Sequence, residues 1–265
     1  MSSRKRFTFS VPTGLMRNMT QSQKLLGQII VKIQKINALG HQALVVFDLD
    51  STLFDVNPRL DQILLDFAAD LDFQKQFPEQ VNLLKNIKTL RGDWGIKNAL
   101  QRIGLDGQHP EFEIAIHEFW KKTFFSNSYL HYDVPYEGAV NFVQALAHAG
   151  ADIAYLTGRD IERMGVGSIE VLKKWNFPLN ESQYQLVLKP HRSMNDADFK
   201  TNWFLSKTEY EKVWFFENEP VNIHSLQEKR PEIEIIFLDT THAGKASPPE
   251  NIPQIMDFLF HFGDE

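Results

Sequence analysis

Five short, largely apolar runs punctuate the chain: ALVVF at 43–47, DIAYL at 152–156, YQLVL at 184–188, VWFF at 213–216 and IEIIFL at 233–238. Their apolar residues are consecutive rather than alternate, so each strand they form must be covered on both faces. Helical segments separate the runs. A parallel sheet with helices on both sides, joined by right-handed crossovers, meets that requirement. The expected fold class is therefore α/β, a doubly wound (Rossmann-like) parallel sheet, with its core in residues 43–57 and 133–265.

One connection is too long for such a sheet. Between Asp55 and Tyr132, apolar residues recur at helical spacing: Leu60, Ile63, Leu64 and Phe67; Val81, Leu84 and Ile87; Ile96, Leu100 and Ile103; Phe112, Ile116, Phe119 and Trp120. A structureless loop of that length is out of keeping with a compact domain, so residues 58–132 are expected to form an inserted helical subdomain. It follows the first strand, at the sheet edge where α/β folds bind ligands. The aromatics Trp94, Phe119 and Trp120 are expected in its core.

Ahead of the sheet, Leu25, Leu26, Ile29, Ile30, Ile33 and Ile36 mark an amphipathic helix packed on the following domain, and residues 1–20 read as a polar leader. Together they make an N-terminal extension over 1–42. The basic start of the leader is followed by Pro12, Thr13 and Gly14, which interrupt any secretory apolar segment. No stretch approaches the roughly 18 apolar residues of a membrane span.

The 265 residues include no cysteine, which excludes disulfides, thiolate zinc sites and cysteine nucleophiles and is compatible with a cytoplasmic setting. The net charge of −6 comes from interleaved signs. Neither a membrane-surface nor a nucleic-acid partner is expected from such a distribution. Oligomeric state is not legible.

The first strand runs directly into Asp48 and Asp50. Two carboxylates crowded at a strand end repel each other and need compensation, most simply from a hard divalent cation such as Mg²⁺, although a solvated turn would also accommodate them. A metal-binding DxD also serves nucleotide-sugar transferases. A second strand ends in Thr157, Gly158 and Arg159, where a hydroxyl and free N–H groups suit a phosphoryl oxygen, or form an ordinary turn. A third ends in Glu217, Asn218, Glu219 and Asn222, oxygen donors able to complete a metal shell or stand as a polar loop. Two lysines compete for the cationic role: Lys189 after a strand, and Lys200 in a helix that Asp196 or Asp198 is expected to cap. The nine histidines form no HExxH or HxxxH pair, and His191 is the one near a proposed lysine.

Taken in order, DLDST (48–52), LTGR (156–159), a lysine and a late acidic loop resemble the four motifs of the haloacid dehalogenase-like (HAD) phosphohydrolases. The likeness spans about residues 43–240, and the insertion is similar to a C1-type cap. The resemblance implies an Mg²⁺-dependent phosphatase acting on a small phosphorylated substrate. Asp48 would be the nucleophile that forms an aspartyl-phosphate. Asp50 would protonate the leaving oxygen and then activate water, its backbone carbonyl helping to hold Mg²⁺. Thr157 would bind the transferring phosphoryl, with Lys200, or second Lys189, as the cation. Ser51, Thr52, Gly158 and Arg159 would line the substrate. The family's usual aspartates are replaced at the fourth motif, where Glu217 and Asn218 are the expected metal ligands beside Asp48 and Asp50. Alternatives are a nucleotide or polynucleotide-end phosphatase, and a non-catalytic phosphate-binding module of the same fold.

Overall fold

The computed structural model of the protein describes residues 20–179 and 182–262; residues 1–19 of the expected leader lie outside them. Helix α1 (Gln21–Ala38) begins in a capping box. Thr20 Oγ1 accepts from the Gln23 N–H at 3.2 Å, and Gln23 Oε1 accepts from the Thr20 N–H at 3.1 Å. Its stripe of Leu26, Ile29, Ile30 and Ile33 is buried against the sheet, as the periodicity requires. The C-terminal segment crosses so close to this helix that a Cβ on Gly27 would lie 1.9 Å from the His261 carbonyl oxygen.

Strand β1 (Ala43–Phe47) is wholly buried. After the site loop comes the two-residue strand β2 (Phe54–Asp55), then five helices, α2 (Asn57–Ala69), α3 (Leu71–Gln76), α4 (Pro78–Leu84), α5 (Lys97–Arg102) and α6 (Pro110–Phe124), and a 3₁₀ helix at Asn127–Tyr132. The chain returns through β3 (Val134–Pro135), which pairs antiparallel with β2 in the register Phe54↔Pro135 and Asp55↔Val134. The helical periods expected between 58 and 132 thus correspond to α2, α4, α5 and α6. Prolines stand in the first turn of α2, α4 and α6, where the missing N–H costs nothing. These helices share a core of their own, built on Leu60, Leu64, Phe67, Leu84, Leu100, Phe112 and Ile116. Phe119 and Trp120 pack against it, whereas Trp94 is 51% exposed, contrary to its expected place in the core. Its neighbour Gly95 has a φ of 61°, and the turn there carries the indole outward.

The remainder alternates as expected: α7 (Ala139–His148), β4 (Asp152–Asp160), α8 (Ile161–Lys174), β5 (Tyr184–Lys189), α9 (Asp196–Leu205), β6 (Lys212–Glu217), α10 (Pro220–Lys229), β7 (Glu234–Leu238) and the short β8 (Gln254–Ile255). All pairings in the six-stranded sheet are parallel, in the order β5-β4-β1-β6-β7-β8. β8 and the β2–β3 pair were not legible, because two residues carry no period. Alternate residues of β1 face opposite cores. Val45 and Phe47 join α1 and α7, while Leu44 and Val46 join Phe204 of α9 and Ile223 of α10. Covering both faces is what the consecutive apolar residues demanded, each large side chain contributing about 2 kcal/mol of burial. The arrangement sets β1 between β4 and β6, so the carboxyl ends of these three strands lie side by side.

Candidate active site

Asp48 follows the last residue of β1, and its N–H extends the ladder by donating to the Phe216 carbonyl at 3.0 Å. The chain then reverses. Ser51 adopts φ of 60°, and its N–H donates to Phe54 O at 2.8 Å while the Phe54 N–H donates to Leu49 O at 2.9 Å. This turn presents Asp48 and Asp50 beyond the strand end. Thr240 Oγ1 secures it from the loop after β7 by donating to the Ser51 carbonyl at 2.6 Å.

Of the two candidate lysines, the fold brings Lys200 to Asp48. Its Nζ donates to Asp48 Oδ1 at 2.6 Å and to Glu217 Oε2 at 2.6 Å. All three residues are buried. Burial pushes the Asp48 carboxyl up to about 7; Lys200 draws it down and Glu217 opposes that. Burial favours the neutral form of Lys200, but the charges of Asp48 and Glu217 outweigh it and hold the ammonium above its ordinary range. Lys189 is elsewhere, donating to Met194 O at 3.1 Å and to Asp196 Oδ1 at 2.5 Å. Asp196 in turn lies over Gly158, where a Cβ would meet Asp196 Oδ2 at 2.4 Å. Neither Asp196 nor Asp198 caps α9; Asn195 does, its Oδ1 accepting from the Asp198 N–H at 3.1 Å. His191 is exposed.

Thr157 and Arg159 lie where the β4–β5 register shifts, between Leu156 and Asp160. The buried Thr157 Oγ1 accepts from the Arg159 N–H at 3.3 Å. On the other side of β1, the Thr52 hydroxyl donates to Asn218 Oδ1 at 3.0 Å, and Asn218 Nδ2 donates to Thr241 O at 2.5 Å.

Arg159 turns inward, into a closed ring of four charges. It makes a fork on Asp50, Nε donating to Oδ2 at 3.0 Å and Nη2 to Oδ1 at 2.8 Å, while the same Nη2 reaches Asp133 Oδ2 at 2.7 Å. Arg59 repeats the pattern on Asp133, with Nε donating to Oδ1 at 2.7 Å and Nη2 to Oδ2 at 3.0 Å, and its Nη2 also donates to Asp50 Oδ1. Burial alone would raise the Asp50 carboxyl, but the guanidinium charges of Arg159 and Arg59 prevail and hold it well below the usual carboxylate range. For Asp133, burial prevails and the shift is upward.

Comparison with known proteins bears on what these strand ends do. Residues 43–171 match the family model described as haloacid dehalogenase-like hydrolase. That stretch, a little under half of the chain, is similar to the haloacid dehalogenase-like hydrolases. Among solved structures, it is similar to a HAD-superfamily hydrolase of subfamily IA, variant 1, from Geobacter sulfurreducens, with TM-score 0.47 and 10% identity, covering 82% of this chain and 93% of that one. A HAD-superfamily hydrolase from Ehrlichia chaffeensis gives TM-score 0.46 and 14% identity, with coverage of 82% and 93%. No curated protein sequence matches the chain.

The likeness implies a divalent cation, and the oxygen donors at these strand ends decide whether one fits. Among the described residues, no cluster of three or more His, Asp or Glu side chains is arranged to hold a metal. Glu217 does not fit the ligand role, because both its oxygens are spent. Oε1 accepts the N–H groups of Asn218 and Glu219, each at 3.0 Å, and Oε2 accepts from Lys200 and from Asn222 Nδ2. What remains is a set of hard oxygens: Asp48 Oδ2, which no described donor reaches, the Asp50 carbonyl, which the turn leaves unbonded, and Asn218 Oδ1, which takes one hydroxyl. One carboxylate with neutral oxygens fits Mg²⁺, which keeps several waters and shares substrate phosphates.

Two members of the charged ring, Arg59 and Asp133, were not singled out from sequence. Arg59 did carry a signal. It falls on the stripe of Val56, Leu60, Ile63, Leu64 and Phe67 at helical spacing, and an arginine on a buried stripe must have carboxylate partners. Asp133 has no comparable mark.

Proposed function

We propose that the protein is an Mg²⁺-dependent phosphatase that hydrolyses small phosphomonoesters through an aspartyl-phosphate on Asp48. The observation that carries this reading is Lys200 on Asp48 Oδ1, which leaves Oδ2 unengaged beside the Thr157 and Asn218 strand ends. In the first half-reaction the Asp48 carboxylate attacks phosphorus and the P–O bond to the leaving group breaks. The departing oxygen takes its proton from Asp50, which must enter this step protonated against the pull of Arg159 and Arg59. In the second, water attacks the phosphoryl, giving its proton to Asp50 and breaking the P–O bond to Asp48, so inorganic phosphate leaves and both carboxyls are restored. Lys200 fixes Asp48 and offsets phosphoryl charge, and Thr157 donates its hydroxyl to a phosphoryl oxygen. Asp48, the Asp50 carbonyl and Asn218 would hold Mg²⁺, whose charge offsets that of the phosphate. The helices of 58–132 act as a cap that limits access to small substrates.

The replacement of the usual acidic pair by Glu217 and Asn218, with Glu217 consumed by Lys200, supports one second reading, a phosphate-binding module without turnover. Phosphate release from an aryl phosphate, by wild type and Asp48→Asn, with Mg²⁺ or with chelator, separates them. Metal-dependent release abolished by the substitution is expected; full activity in Asp48→Asn removes the proposed nucleophile. A panel of sugar phosphates, nucleoside monophosphates and end-phosphorylated oligonucleotides then assigns the substrate class.

A further inference from the structure

The charged ring does more than pair buried groups, because of where its members lie in the chain. Asp50 and Arg159 belong to the strand ends of the sheet. Arg59 lies in the first turn of α2, just beyond the segment entering the helical insertion, and Asp133 lies on the segment leaving it. The two segments also meet in the two-residue β2–β3 pairing and in the Tyr136 N–H donating to the Leu53 carbonyl at 2.9 Å. Other bonds tie the insertion to the α/β core, the Gly167 N–H donating to Asn127 Oδ1 at 2.7 Å and Thr241 Oγ1 to the Gly92 carbonyl at 3.3 Å, but it is the charged ring that reaches Asp50.

We propose that Arg59 and Asp133 seat the insertion on the site and fix the Asp50 carboxylate, making Arg59 a positioning residue for the reaction. Arg59 is itself held rigidly. It is fully buried, its Nη1 donates to the Phe124 carbonyl at 3.2 Å, and its guanidinium stacks over the Phe124 ring at 4.2 Å. Asp133 is held by its backbone, whose carbonyl accepts from Trp175 Nε1 at 3.0 Å. Arg159 is held by Ser168, to whose Oγ its Nη1 donates at 3.2 Å. Asp50 Oδ1 receives N–H groups from both guanidiniums while Oδ2 receives one, so the ring fixes one oxygen and leaves the other with spare lone-pair capacity. A bidentate fork with a crossed bond needs guanidinium geometry, which an ammonium cannot supply. The tie to the insertion is independent of the reaction; the effect on catalysis rests on the phosphatase reading.

The test uses the full chain with Arg59→Lys, and with the double substitution Arg59→Met/Asp133→Leu, which removes both partners and so avoids an unpaired buried charge. Lys88→Ala, on the exposed surface of the insertion, is the control. Two readouts are taken. In hydrogen exchange, the amides of residues 53–57 and 133–136 are expected to exchange at least tenfold faster in both variants and to be unchanged in the control. In steady-state hydrolysis of an aryl phosphate, kcat is expected to fall at least tenfold with KM within threefold. Unchanged exchange in a folded double variant overturns the tie. Faster exchange with kcat within twofold of wild type overturns the positioning role, as does a loss confined to KM. If wild type releases no phosphate the phosphatase reading fails, and with it the positioning role, while the exchange result still decides the tie.

Discussion

Lys200 Nζ lies 2.6 Å from Asp48 Oδ1, although Lys189, the other candidate, also ends a strand beside the site. The difference is which carboxylate each lysine is given. Lys200 stands between two buried acids, and Lys189 is committed to Asp196, whose side chain is 52% exposed.

The first prediction follows from that contrast. Lys200→Met leaves Asp48 and Glu217 buried with no cation between them, and is expected to lower phosphatase activity by at least 100-fold and stability by about 3 kcal/mol. Lys189→Met breaks a half-exposed pair and is expected to cost less than about 1 kcal/mol with activity within a few-fold. Aryl phosphate turnover and urea unfolding of both variants check the assignment.

Asp48 itself is expected to be held at the expense of stability. The buried trio of Asp48, Glu217 and Lys200 carries one negative charge in excess. The folded-state value of Asp48, pushed up to about 7, lies above the unfolded 3.8, so the folded state binds the proton more tightly. Stability is therefore lost as pH rises from about 4 to 7. In chelator at pH 8, Asp48→Asn is expected to be more stable than wild type by on the order of 2 kcal/mol, with the advantage gone near pH 4. Thermal melts of the two proteins across that range measure it; a constant difference would contradict the assigned shift.

The frame of the fold was legible because its signals are long and redundant. ALVVF and VWFF show consecutive apolar residues, the helices show their period, and Pro58, Pro78 and Pro110 mark starts. Asp48 and Thr157 could be placed at neighbouring strand ends for the same reason. Partnerships were not legible. The preference for Lys200 over Lys189 comes from the resemblance, and which lysine reaches Asp48 depends on how α9 docks. Glu217 reads as a ligand until its two oxygens are found to be occupied. Asp133 joins a ring whose other members lie 26 to 83 residues away in sequence, with only Arg59 betraying itself by its place on an apolar stripe.

Gly27 offers a test in which two effects oppose. In an exposed helix interior, Gly→Ala stabilises by about 1 kcal/mol. Here the new Cβ would fall 1.9 Å from the His261 carbonyl oxygen and 2.9 Å from its carbon, both backbone atoms. Steric displacement of the C-terminal segment wins. Gly27→Ala is expected to destabilise by about 2 kcal/mol, and truncation before residue 261 is expected to reverse the sign of the substitution. Urea midpoints of the four proteins give the answer.

Inside the insertion, Asp93 supports a separate prediction about pH. Its Oδ2 accepts the Leu90 N–H at 2.8 Å, and both its oxygens accept from Arg102 at 2.6 Å. Burial would raise this carboxyl, but the hydrogen bonds from Arg102 and Leu90 outweigh it and lower the value from 3.8. A depressed folded value means the unfolded state binds the proton more readily. The stabilisation is thus complete above about pH 5 and is lost as pH falls through 3.8 and then the folded value. Arg102 is 37% exposed, so screening keeps the contribution to about 1 kcal/mol. Asp93→Asn keeps the acceptor for Leu90 and loses the charge, so it is expected to be less stable than wild type by that amount at pH 7. Because Arg102 Nη2 also donates to the Lys88 carbonyl at 2.9 Å, the loss should appear as faster hydrogen exchange across 88–94. Once the pH has fallen below the folded value the two proteins should unfold alike, and a gap that persisted there would mean that packing at residue 93, rather than its charge, holds this turn.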